Sequence, residues 1–169
     1  MKWTFKIILA LLGFLTIDQA SFSQTITTFP HFEDLETWDT CNTNCGVACT
    51  PGSGWTNQGT AEFVTDTNGT PTGVTGPPID HNPGTISGRY TYVESSGACN
   101  ADTAILETPY VDLSSVVNPR VRFWYHQYDG AFGAPMGTDT FYVEITTDSG
   151  TTWNVVHTGP DQDTANEWL

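Results

Sequence analysis

A chain of 169 residues has the length of one domain. It carries 5 Lys+Arg against 19 Asp+Glu, a formal charge of −14, which excludes a nucleic-acid binder and disfavours a basic helix lying on anionic lipid, since both need a cationic stripe. Charged residues are only 14% of the chain and aromatics reach 12%, so it can build a core that a disordered acidic chain could not.

Residues 1–23 read as an export signal. Lys2 and Lys6 form a positive start, residues 7–17 an apolar stretch, and Ser21 and Ser23 place small residues before a cut at Gln24. The stretch is shorter than the ~20 residues of a spanning helix, so a retained anchor is the weaker reading and the mature chain is expected to have no membrane span. Removal of residues 1–23 takes Lys2 and Lys6 with it. Arg89, Arg120 and Arg122 then stand alone as fixed cations. Such an excess of carboxylates outside the cell is a motive for suspecting Ca2+.

After the signal no helical periodicity survives. Threonine is the commonest residue and glycine and proline are abundant, which favours strands and turns. Residues 26–32 are a first candidate strand and 60–64 a weak second. Cys41, Cys45 and Cys49 lie between them in a spacing unusual for zinc. With Cys99 they make an even number, so two disulfides are expected, at least one of them reaching Cys99.

The long stretch 66–88 holds Asn68-Gly69, Gly76-Pro77-Pro78 and Asn82-Pro83-Gly84, and reads as a loop that is functional, disordered or pinned. Asn68-Gly69-Thr70 also fits a glycosylation site. Strands are expected at 89–94, 103–107, 110–113, 119–128, 138–147 and 151–157. Asp148-Ser149-Gly150 marks a hairpin turn between the last two, with Phe141, Val143 and Ile145 on one face of the first. Segment 119–128 is the longest and most aromatic. Phe123 and Tyr125 share one of its faces and Trp124 and His126 the other, so both faces are expected to be covered. The regular short strands predict an all-β chain, an antiparallel sandwich or jelly roll.

Several stretches together resemble the MAM family of extracellular jelly-roll modules. They are Phe32-Glu33 followed by Trp38; Gly76-Pro77 then Asp80-His81; residues 88–96, GRYTYVESS; Thr103-Ala104 to Thr108-Pro109; residues 122–128, RFWYHQY; Met136-Gly137-Thr138; Trp153; and Glu167-Trp168. The ordered set spans about residues 29–169, so residues 24–169 are expected to be one MAM-like, concanavalin-like sandwich. In the family the pattern continues past the Glu-Trp-Leu strand. The resemblance therefore implies that the final strands lie beyond Leu169, in a longer protein.

What the resemblance implies about function is a secreted or cell-surface adhesion module that meets an extracellular protein or glycan. It also points to a Ca2+ ion held by Glu33, Asp80 and Asp102, all at loops or strand ends of the matching segments. The bland alternative is that Glu33 bonds backbone, Asp80 caps a turn and Asp102 is solvated. Catalysis is not expected. The four histidines His31, His81, His126 and His157 form no His-Glu-x-x-His pair, no Gly-x-Ser-x-Gly elbow occurs, and bridged cysteines are no nucleophiles. Two further readings stay open: an accessory domain of a larger secreted hydrolase, and a carbohydrate-binding module with Trp55 as its platform.

Overall fold

The computed structural model describes residues 2–10, 24–71, 76–94, 103–127, 140–159 and 168–169. These residues contain strands and no helix, as expected for an all-β chain. The strands are β1 (Lys2–Ala10), β2 (Thr25–Ile26), β3 (Thr56–Gly59), β4 (Phe63–Asp66), β5 (Tyr90–Val93), β6 (Thr103–Asp112), β7 (Thr140–Thr146) and β8 (Asn154–Gly159). One sheet runs β2-β6-β1-β7-β8, with β3 pairing beside β2 along β6. The other is the β4-β5 pair. The β3-β6, β4-β5 and β7-β8 pairs are antiparallel. Strand β1 is parallel to both β6 and β7, and β2 is parallel to β6, so the larger sheet is mixed.

The start of the chain thus occupies the centre of the larger sheet. A strand flanked on both edges and covered on both faces tolerates an unbroken apolar run, which Ile7 and Ile8 supply: they are 4% and 2% exposed on opposite faces. Ile7 clusters with Phe141 and Val143, and Phe5, Val111, Phe123, Tyr125 and Ile145 pack around them. A second cluster joins Ala61, Val93 and Ala104, with Phe63 against it, where the β4-β5 pair meets β6.

Proline explains the one break in the β1-β6 ladder. Lys6 faces Glu107 and Ile8 faces Tyr110, so an extra residue sits on β6 at Thr108-Pro109. Proline has no N–H to give the ladder and is tolerated at a bulge. The Thr108 hydroxyl accepts from the Ile8 N–H at 3.5 Å, standing in for a ladder acceptor, and itself donates to the Pro109 carbonyl at 2.8 Å. Two short strands expected at 103–107 and 110–113 are therefore one strand.

Other boundaries shift for local reasons. The strand expected at 26–32 ends at Ile26. The one expected at 60–64 falls largely between β3, which ends at Gly59, and β4, which starts at Phe63, because Asn57 ties a turn between them. Its side chain donates to the carbonyls of Cys49 and Phe63 and accepts from the Phe63 N–H at 2.9 Å. Strand β8 starts at Asn154, after Trp153 rather than before it. Residues 119–127 form no ladder strand. Among the described residues, Tyr125 exchanges a pair of backbone bonds with Leu169, at 2.9 and 3.3 Å.

Cys41 and Cys49 form a disulfide, and Cys45 is also bridged, while Cys99 lies outside the described residues. The bond fits an oxidising, extracellular-like compartment. Among the described residues no helix is long and apolar enough to cross a membrane.

The β7-β8 hairpin forms as its sequence predicts, with Ser149 and Gly150 both at positive φ, the second position being one that glycine takes without strain. Asp148 holds it: Oδ1 accepts from the Thr146 hydroxyl at 2.7 Å and the Thr152 N–H at 2.9 Å, and Oδ2 from the Thr152 hydroxyl at 2.6 Å. These bonds, those from Thr152 foremost, hold the Asp148 carboxyl down at about 2. A depressed carboxyl stabilises the fold above the ordinary carboxylate range, and the gain disappears as pH falls from there towards 2. Asp148→Ala should therefore melt below the wild type at pH 6, with the gap between them closing at pH 2 in thermal scans.

Candidate functional site

The loop before β5 builds a surface from residues of three distant segments. Asp80, 2% exposed, turns its Oδ1 onto the Thr85 N–H at 2.7 Å, and the Thr85 hydroxyl accepts from the Gly88 N–H at 3.0 Å. Gly88 lies flat against the carboxylate, so that a Cβ there would collide with it. This turn fixes the neighbouring His81 at the surface. Of the readings open to the long stretch 66–88, the bonds of Asp80 and Thr85 show a loop pinned at residues 80–88.

The outward neighbour of His81 is Trp124. The two rings stack at 4.0 Å between centroids and 25° between planes. Trp168 approaches His81 edge-on at 6.4 Å and Tyr90 at 5.6 Å, and its indole N–H donates to the Ile79 carbonyl at 3.1 Å. Tyr90 is buried below, its hydroxyl donating to the Pro77 carbonyl at 3.3 Å. Burial first, then the Asp66 charge, pushes this hydroxyl up to about 12, so it remains a neutral donor.

Trp124 leaves 47% of its area exposed. It sits there because residues 119–127 are extended: Phe123 and Tyr125 point into the core against Phe141, at 5.9 and 5.1 Å, which sends Trp124 outward. The face of this segment expected to be covered is open at Trp124. Parity along 123–126 was the signal for the platform. What parity cannot supply is which side of the segment lacks a covering layer.

Trp55 is not an exposed platform. It is half-buried between Phe5 and Trp38, at 5.3 and 5.7 Å, in the row of rings beneath the disulfide loop. Its place as candidate platform passes to Trp124.

Of the expected calcium ligands, Glu33 accepts from the Leu35 N–H through Oε1 at 3.0 Å. Asp80 uses Oδ1 in its turn, while its Oδ2 is buried without a hydrogen-bond partner. Asp102 lies outside the described residues. The turn at 33–36 docks on Arg89, whose N–H donates to Glu36 Oε1 at 2.6 Å and whose guanidinium donates to the Glu36 carbonyl, while Asp80 rests on the adjacent Gly88. Among the described residues no three His, Cys, Asp or Glu side chains form a ready metal cluster.

No protein-family profile matches the chain, and no solved structure matches it.

The geometry separates fold from surface. Gly88→Ala should destabilise the chain by about 2 kcal/mol through overpacking on Asp80, whereas Trp124→Ala should cost about 1 kcal/mol or less, the value of one exposed ring pair. Urea midpoints of the two variants measure the contrast.

Proposed function

We propose that the chain is a non-catalytic, secreted or cell-surface interaction module of MAM type, and that the Trp124–His81–Trp168 surface is where it meets an extracellular protein or glycan. One observation carries this reading. Three separate stretches that resemble the family, around Asp80-His81, Arg122–Gln127 and Trp168, converge on a single exposed aromatic platform. Its rings are held from beneath, so their faces are presented at low entropic cost, which suits an anchor residue at an interface. The export signal, the jelly-roll closure of the two sheets and the MAM membership belong to the same proposal.

A carbohydrate partner is the second reading, favoured by the flat exposed indole face of Trp124, which can stack on a sugar ring. The test is retention of the bead-coupled chain on immobilised fibronectin and collagen, compared with cellulose and chitin. Trp124→Ala should lower retention at least tenfold with the fold intact. Retention on polysaccharide alone selects the second reading. Equal retention of variant and wild type overturns the platform.

Calcium is the cofactor proposed for this module, held by Glu33, Asp80 and Asp102. The support is the buried, unpartnered Oδ2 of Asp80, a hard donor whose burial is costly unless something meets it. Ligand binding to the folded state alone raises stability by mass action. Millimolar Ca2+ should raise the melting temperature by roughly 5 °C over EDTA, and Asp80→Asn should abolish the rise. An unchanged melting temperature removes calcium from the reading.

A further inference from the structure

Strands β6 and β7 do not bond to each other where β1 lies. Each bonds to β1 instead, β6 from Lys2–Thr103 to Ala10–Asp112 and β7 from Lys2–Thr140 to Ile8–Thr146. With β1 absent, two facing strand edges would stand about 10 Å apart, two strand spacings, each with a row of unpaired N–H and C=O groups. Such an opening satisfies itself by taking in one extended chain.

The side chains of β1 show which chain fits. On one face Phe5 meets Trp55 at 5.3 Å and Phe123 at 6.2 Å, and Ile7 closes the cluster with Phe141 and Val143. On the other face Lys6 lies 3.8 Å from Glu107 and 4.3 Å above the Trp153 ring, and Ile8 is buried. Glu107 is half-buried. Burial raises its carboxyl and Lys6 lowers it, so the strand supplies the cation that the acid needs. The rest of the chain is strongly acidic and holds no other lysine than Lys2, so a cationic occupant is favoured by the whole field as well as by Glu107.

We infer that β6 and β7 form a strand-accepting slot, whose ligand is an extended peptide with large apolar side chains at alternate positions and a basic residue between them, entering parallel to both. Residues 2–10 are its resident occupant. When export processing or exchange removes them, the slot takes an external peptide of the same pattern.

The test keeps the full chain for folding. A protease site is placed within residues 11–23 and cut after the chain has folded. A fluorescent peptide of residues 2–10 is then added in excess and its anisotropy followed. The cut chain should take up the peptide while the uncut chain, its slot tethered full, takes up at least tenfold less. A peptide carrying Phe5→Asp and Ile7→Asp should not bind, and one carrying Lys6→Glu should bind at least tenfold more weakly. Release of the cut segment with an unchanged melting temperature and no peptide uptake would overturn the slot. Equal uptake of the Phe5→Asp, Ile7→Asp peptide would overturn its specificity.

Discussion

The double ladder on β1 is the constraint on which the rest of the molecule depends. It satisfies the inner edges of β6 and β7 together and delivers Ile7 and Ile8 to opposite faces of the sheet. Each buried isoleucine contributes about 2 kcal/mol by removal from water. Phe5 then links the sheet to the loops. From it a row of rings runs one way through Trp55 to Trp38, and the other way through Phe123 to Phe141 and Tyr125.

Polar ties do the same for the irregular part. The Cys41–Cys49 bridge closes a loop whose two ends are fastened to the strands beneath. The Cys41 N–H donates to the Thr65 carbonyl at 2.8 Å, and the Asn57 amide donates to the Cys49 carbonyl at 2.9 Å. Trp38 fills the space under this loop at 1% exposure, with Gly52 pressed so close to its ring that a side chain there would clash. A long stretch without strands is thereby held by a covalent bond, an amide and one indole, in place of a ladder.

Much of the strand content was legible because period-two patterns survive in single strands. Phe141, Val143 and Ile145 share the core face of β7 as their spacing requires, and Tyr90–Val93 and the Asp148-Ser149-Gly150 hairpin fall where the residues place them. Three things were not legible. Pro109 looks like a strand terminator, yet a bulge absorbs it, because only the partner strand decides whether the missing N–H matters. Segment 119–127 has strand-like residues, but among the described residues its backbone bonds are the pair between Tyr125 and Leu169, and residue type alone does not show which neighbour a segment finds. Residues 2–10 carry the composition of an export signal, and nothing in composition separates that from a strand buried on both faces. The candidate surface was half legible. Asp80 and His81 stand out in the sequence, while Trp124 reads as interior, because exposure depends on the layer that lies over it.

Segment 119–127 also joins the slot and the platform physically. Among the described residues it is held by Phe123 and Tyr125 in the core and by the bonds between Tyr125 and Leu169. Phe123 stacks on Phe5, a residue of the strand in the slot, and Trp124, the next residue, forms the exposed face against His81. Adjacent side chains of an extended chain point to opposite sides, so a change in the ring under Phe123 is transmitted to Trp124 by the backbone they share. A strand that fills the slot without an aromatic side chain at the position of Phe5 would leave Phe123 short of one partner. Its ring contacts to Phe141, Tyr125 and His157 would remain. Phe5 of β1 and the exposed Trp124 thus lie on opposite sides of one extended segment, joined through Phe123.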